Sequence, residues 1–108
     1  MEDLEKKSEG IENVLSRSLN LSIYFISKWL ENYQKLSLDD NLEDLTEIGY
    51  TGFYEDSIIA GLDGLRSLLP EVEHILNANQ LEQLKDQYEK LNQRYEQTSR
   101  IIANRLKH

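Results

Sequence analysis

Apolar residues recur along most of this chain at steps of three and four, the spacing of one face of an α-helix. The first such segment runs from Ser8 to Leu36, and its second half is apolar over most of the helical circumference. A helix of this kind is usually buried by neighbours on several sides, so we expect it to be the centre of the core. Its apolar positions are Ile11, Leu15, Leu19, Leu21, Ile23, Tyr24, Phe25, Ile26, Trp29, Leu30 and Tyr33.

The segment after the first helix predicts a short second helix. Ser37 is its expected N-cap, because a serine hydroxyl can accept a hydrogen bond from an early backbone N–H. Gly49 is expected to end it, because glycine adopts the left-handed backbone conformation at little cost. The apolar positions of this helix are Leu38, Leu42, Leu45 and Ile48.

A third helix is expected after an aromatic-rich turn at residues 50–54. Its apolar positions, from about Phe53 to Leu69, lie on one helical face. Pro70 cannot donate a backbone N–H and disfavours helical geometry in the residue before it, so it predicts a kink or a fresh turn. That turn is expected to continue to Leu76.

The last third of the chain has the clearest helical pattern. Residues 77–80 predict a loop, and Asn79 with Glu82 has the spacing of a capping box. The helix that follows is expected to run to about Leu106, with a basic end that suits the negative pole of the helix dipole. Its apolar stripe consists of Leu81, Leu84, Tyr88, Leu91, Tyr95, Thr98 and Ile102.

Two matching long helices with a shorter middle layer predict the fold. The first and last helices should each be about 40 Å long at 1.5 Å per residue. We therefore expect an all-α chain, a small antiparallel three- or four-helix bundle with long first and last helices. The length of 108 residues allows a single domain, residues 1–108, in which residues 1–8 are expected to be a frayed N-terminus.

Charge narrows the range of partners. The chain has 20 acidic and 12 basic side chains, a formal net charge of −8, and no basic residue between Lys35 and Arg66. An acidic surface is repelled by nucleic-acid phosphates and anionic lipid, so we expect no direct nucleic-acid binding and no membrane association. The candidate acidic surface consists of Asp39, Asp40, Glu43, Asp44 and Glu47.

Composition also argues against catalysis. The chain has no cysteine and two histidines, and it contains no nucleophile, phosphate-binding or metalloprotease motif. We expect neither enzymatic activity nor a cofactor. The lack of cysteine and the acidic first residues, without an apolar signal segment, favour a cytoplasmic location.

The stripe of the last helix has two interpretations. It is either the face that packs on the first helix or a coiled-coil seam offered to a second chain. We expect an adaptor or regulatory protein that binds another protein or forms a homodimer. The candidate contact residues are Leu81, Leu84, Tyr88, Leu91, Tyr95 and Ile102.

Two alternative functions stay open. The acidic middle could inhibit a nucleic-acid-binding protein by occupying its basic groove. Glu71 and His74 have the Glu-x-x-His spacing, which places a carboxylate and an imidazole on one helical face, as in di-iron bundles. A homodimer could supply the second copy, with Glu31 or Glu47 as a further ligand. The second alternative is therefore a metal-binding helical dimer.

Overall fold

The described part of the chain forms four α-helices; the computed structural model gives the backbone of residues 2–107 and the side chains of residues 10–107. The described residues contain no β-strand, so the predicted all-α bundle with long first and last helices is confirmed. Residues 1–8, predicted to be frayed, precede the first described side chain. The helices are α1 (Glu2–Ser37), α2 (Leu42–Glu47), α3 (Tyr50–Val72) and α4 (Ala78–Leu106).

The three long helices form a rod with extents of 65 × 20 × 18 Å. α1 packs against both α3 and α4, α3 also packs against α4, and α2 lies mainly on α3. Over residues 2–107, no helix combines the length and the apolar character needed to cross a lipid bilayer. The buried core residues are Leu19, Ile26, Leu30, Tyr33, Leu36, Leu42, Ile58, Leu62, Leu65, Val72, Leu76, Leu84, Leu91 and Ile102.

α1 extends through Ser37, so this serine is not the N-cap of α2 that the sequence predicted. Its hydroxyl donates to the Gln34 carbonyl at 2.6 Å. Arg105 of α4 donates to the Ser37 carbonyl at 2.6 Å, which satisfies a group that the helix end leaves without an intrahelical partner. α2 begins after Asn41, whose backbone N–H donates to Asp39 Oδ1 at 2.8 Å.

Gly49 separates α2 from α3 with a φ of +89°, the left-handed conformation predicted for it. α3 begins immediately at Tyr50, so the residues predicted to form an aromatic-rich turn are the first turn of this helix. The hydroxyl of Thr51 lies 2.8 Å from that of Thr46, a hydrogen bond that joins the start of α3 to α2.

α3 passes through Pro70 and ends at Val72. The proline lacks the backbone donor that would bond the carbonyl four residues earlier, and the helix stops within one turn of it. The turn predicted to continue to Leu76 follows the end of the helix, and in it the Val72 carbonyl accepts from the backbone N–H groups of Ile75 and Leu76, both at 2.9 Å.

α4 begins with a capping box two residues earlier than the sequence predicted. Asn77 Oδ1 accepts from the Gln80 backbone N–H at 2.8 Å, and Gln80 Oε1 accepts from the Asn77 backbone N–H at 3.3 Å. Asn77 has the extended backbone that an N-cap requires, whereas Asn79 is already helical. α4 ends at Leu106, where the sequence predicted.

Candidate functional site

The apolar stripe of α4 is packed inside the chain's own core. Three of the six predicted contact residues are each 5% exposed, and the other three are half-buried against the same core. The structure therefore has the intramolecular arrangement, because α1 and α3 already cover this stripe. Of the two interpretations of the stripe, this is the one in which it packs on the chain's own helices, and these six residues do not form an exposed coiled-coil seam. The buried residues are Leu84, Leu91 and Ile102, and the half-buried ones are Leu81, Tyr88 and Tyr95.

The Glu-x-x-His spacing does not place its two side chains on one helical face. Glu71 is in the last turn of α3, whereas His74 is in the turn that follows, because α3 ends at Val72. The His74 side chain is 84% exposed, and its Nε2 lies 3.9 Å from Glu73 Oε1. In the part of the chain that the structure describes, no three or more His, Asp or Glu side chains are grouped to hold a metal ion.

The predicted acidic surface lies on α2 and on the turn before it. The ion pairs among the described residues lie on α1, on α4 and in the turn between α3 and α4, so none of them neutralises α2. These carboxylates make the surface of α2 and of the preceding turn locally negative, while the basic end of α4 lies near this turn, where Arg105 reaches the Ser37 carbonyl. Asp40, Glu43, Asp44 and Glu47 are exposed, and Asp39 is half-buried.

The outer side of α1 carries exposed apolar side chains, and all of them except Val14 are among those that the sequence predicts to lie in the core. Leu21, Tyr24 and Phe25 are 55%, 54% and 48% exposed, and Ile11 and Val14 are 60% and 55% exposed. The prediction that neighbours bury α1 on several sides is therefore wrong for this side. The reason is that only two long helices pack against α1, which leaves one side without a neighbour.

A groove between α1 and α3 adjoins these exposed side chains. Phe25 and Trp29 of α1 line it, with ring centroids 6.4 Å apart in a stacked arrangement. Leu68 and Gly64 line it from α3. A Cβ placed on Gly64 would have no neighbour within 4 Å, so the backbone of α3 is accessible here. The groove encloses about 270 Å³.

A second groove of about 560 Å³ lies nearer the start of α1, lined by Ile11, Val14 and Ile75 among others. Six of the α1 residues that line the two grooves fall within about 80° of one another at 100° per residue, so the grooves open on the same side of the molecule; the six are Ile11, Val14, Ser18, Ser22, Phe25 and Trp29. We call this side the α1–α3 face. Its residues are Ile11, Val14, Ser18, Ser22, Phe25, Trp29, Ala60, Gly64, Leu68 and Ile75.

A second exposed apolar cluster lies where α2 meets α3. Ile48, Tyr50 and Phe53 are 73%, 52% and 64% exposed. The ring of half-buried Tyr54 lies 5.9 Å from that of Tyr50 and 5.5 Å from that of Phe53, measured between centroids. Together with Gly49 they line a groove of about 300 Å³. We call these four side chains the aromatic corner; the sequence indicated them only as part of an aromatic-rich turn and as an apolar position of α2.

These surfaces are suited to noncovalent binding of another molecule. The α1–α3 face offers apolar and aromatic side chains over accessible helix backbone. The aromatic corner offers a smaller apolar platform next to the carboxylates of α2. In comparisons with known protein families, with characterised proteins and with solved structures, the chain matches none of them.

Proposed function

We propose that this chain is a protein–protein interaction module, of an adaptor or regulatory kind, that self-associates as a homodimer through the α1–α3 face. The observation that carries the proposal is the row of exposed apolar side chains on this face of α1, Ile11, Val14 and Phe25, with the small Ser18 and Ser22 between them. Single exposed apolar residues are common on protein surfaces, whereas several along one face of a helix are typical of a contact site.

A fourth helix would complete the packing of this bundle. Two helices side by side leave a groove that accepts the side-chain ridge of a third. Ala60 and Gly64 have little or no side chain, so an incoming helix can approach α3 closely. Phe25 and Trp29 would then supply a large apolar contact area beside it. The α1–α3 face thus has the shape and the chemistry that a helix needs.

The helix that fits this face is α1 of a second copy. Ser18 is midway along the sequence between Ile11 and Phe25, so the apolar row is centred on a small residue. In an antiparallel pair of α1 helices that cross near Ser18, Phe25 of each copy meets Ile11 and Val14 of the other. A two-fold axis repeats this contact, so the same patch of each copy forms half of the interface, as in most homodimers.

Light scattering after size-exclusion chromatography, at low and at high salt, tests the proposal. We expect twice the mass of the chain in both conditions, because salt does not screen apolar contacts. Phe25→Asp should raise the dissociation constant of the dimer by more than about tenfold, because the new carboxylate would lose its water when the two copies associate. The helical content measured by circular dichroism should not change, because Phe25 is 48% exposed in the single chain.

Ile101→Asp is the matched control for this substitution. Ile101 is 45% exposed on α4 and is not part of the α1–α3 face. The Ile101→Asp variant should therefore have the same mass in solution as the parent chain. A chain that is monomeric at every concentration contradicts the proposal. A dimer that Phe25→Asp does not weaken contradicts the choice of face.

We also propose that the chain works in the cytoplasm and has no catalytic activity of its own. The absence of cysteine supports the first statement, because reducing compartments do not favour disulfide-stabilised chains. The scarcity of histidine and the absence of cysteine support the second, because these residues supply most nucleophiles and general bases. Fluorescence microscopy of a tagged chain tests the location.

A further inference from the structure

The aromatic corner is an apolar platform at the start of α3 that the fold leaves uncovered. Phe53 and Tyr54 belong to the first turns of α3 and not to a loop. The start of α3 is joined to α2 by the 2.8 Å hydrogen bond between the Thr46 and Thr51 hydroxyls, and Thr51 is 3% exposed. Aromatic side chains on a fixed helix lose little conformational entropy when they bind a partner.

Carboxylates lie around this platform. Asp44 of α2 is four residues before Ile48, whose backbone N–H donates to the Asp44 carbonyl at 3.1 Å, and Glu47 is next to Ile48 in sequence. Asp56 is three residues after Phe53 on α3, a spacing that makes two side chains neighbours on a helix surface. All three carboxylates are on exposed residues. The corner therefore combines apolar anchors with a negative rim.

We infer that the aromatic corner binds a basic amphipathic segment of another protein. The apolar side chains of this segment would pack on Ile48, Tyr50 and Phe53, and its lysines and arginines would face the surrounding carboxylates. Charge complementarity selects this partner, because an acidic segment would meet like charges and a neutral one would leave the carboxylates unpaired. The aromatic rings also attract cations through their faces.

A second copy of the chain does not fit this corner. A two-fold contact would bring the carboxylates of α2 in one copy against those of the other, and like charges at a contact oppose association. The segment from residue 36 to residue 65 has no basic side chain with which to relieve this repulsion. The aromatic corner and the α1–α3 face are therefore assigned to different partners.

Fluorescence anisotropy with three labelled probes tests the inference on the full chain. The first probe is an amphipathic peptide of leucine and lysine, the second is the same design with glutamate for lysine, and the third is polylysine. We expect the leucine–lysine peptide to bind, and its affinity to fall but not vanish as salt is raised. The glutamate peptide should not bind, and polylysine should bind more weakly and lose its binding at high salt.

Substitutions in the corner separate its apolar and charged parts. Phe53→Ser and Ile48→Ser should each weaken binding of the leucine–lysine peptide by about tenfold, the effect expected for an interface anchor. The double substitution Asp44→Asn with Glu47→Gln should also weaken binding and reduce its dependence on salt. Both apolar positions are more than half exposed, so circular dichroism should show unchanged folding.

Matched controls lie on α4. Ile101→Ser removes an apolar side chain that is 45% exposed, and Glu82→Gln with Glu89→Gln removes two exposed carboxylates. Neither control should change the affinity for the leucine–lysine peptide. The inference is overturned if either control weakens binding as much as the corner variants do.

Three further results would overturn the inference. The first is failure of the leucine–lysine peptide to bind. The second is polylysine binding as tightly as that peptide, with no effect of Phe53→Ser, because the carboxylates would then act by charge alone, as in mimicry of nucleic acid. The third is a lower mass of the Phe53→Ser variant in light scattering, because the corner would then be a contact between copies.

Discussion

The hydroxyl of Tyr33 on α1 lies 3.1 Å from that of Ser99 on α4, a hydrogen bond between residues 66 positions apart. The Tyr33 ring stacks on that of Tyr95 with centroids 6.0 Å apart, and the Tyr95 hydroxyl donates to Glu55 Oε1 on α3 at 3.3 Å. Tyr33 is 1% exposed, so Ser99 takes the place of water for its hydroxyl. All three long helices therefore meet at one cluster of polar groups.

These phenols predict a loss of stability at alkaline pH. Burial raises the pKa of Tyr33 above its ordinary value, and the Glu55 carboxylate adds to this, while the hydrogen bond to Ser99 acts in the opposite direction. Burial likewise raises the pKa of Tyr95. The folded chain therefore keeps its phenolic protons to higher pH than the unfolded chain. Their contribution to stability is complete below about pH 10, the unfolded value, and is lost as pH rises through the folded values.

Urea denaturation as a function of pH measures this effect. Tyr33→Phe should lower the free energy of unfolding by about 0.5–1.5 kcal/mol at neutral pH, because Ser99 loses its partner. Its stability should then decline less steeply than that of the parent above pH 10. Tyr24→Phe removes a tyrosine that is 54% exposed. The stability of this variant should decline above pH 10 as steeply as that of the parent. If the free energy of unfolding falls equally steeply with pH in Tyr33→Phe and in the parent, the prediction is contradicted.

Gly61 and Gly64 should respond in opposite directions to alanine. A Cβ on Gly61 would lie 2.7 Å from Ile26 Cγ1 and 3.0 Å from Cδ1, and Ile26 is 2% exposed. Overpacking there should cost about 1–3 kcal/mol, partly offset by the better helix propensity of alanine. At Gly64, where a Cβ meets nothing within 4 Å, alanine should stabilise the helix by about 0.5–1 kcal/mol.

The two glycine variants are best compared in a chain that also carries Phe25→Asp, because Gly64 belongs to the proposed dimer face. The free energy of unfolding in urea is the quantity to measure. If Gly61→Ala proves as stable as Gly64→Ala, the close approach of α3 to Ile26 is not tight enough to require glycine.

Asn77 should stabilise the start of α4, whereas Asn79 should not. Asn77→Ala removes the acceptor of the capping box and should cost about 1 kcal/mol. Asn79→Ala places a better helix former inside the helix and should cause no loss. Asn77→Ser keeps an accepting oxygen and should recover most of the stability, apart from the bond that Asn77 Nδ2 donates to Glu12 Oε1 at 3.2 Å. Thermal denaturation of the three variants tests this. A loss of stability in Asn79→Ala would instead support Asn79 as the N-cap, as the sequence predicted.

The predictions that succeeded depend on local chemistry. Gly49 follows α2 with a left-handed φ of +89°. Glycine adopts this conformation at little cost because it has no side chain. The stripe of α4 was evident because apolar side chains at steps of three and four leave a helix with one face that needs cover. Interactions of this kind involve residues within a few positions of one another, so the sequence alone displays them.

The predictions that failed depend on distant residues or on competition between close ones. The sequence predicts Ser37 as an N-cap, but its carbonyl accepts from Arg105 and it completes α1 instead. Asn77 and Asn79 both resemble an N-cap in sequence, and only the path of the chain between α3 and α4 decides which has extended backbone. Pairing of this kind cannot be recognised from spacing.

The pattern of residues is enough to show that this protein is helical, where most of its helices run, and that its middle is acidic. Which apolar side chains are covered depends on how the helices pack together. Leu91 and Phe25 look alike in a helical pattern, yet Leu91 is 5% exposed and Phe25 is 48% exposed. The physical reason is that periodicity reports the direction of a side chain around its own helix, whereas burial depends on how many other helices pack there. Two long helices pack against α1, and the side they leave open became the candidate site.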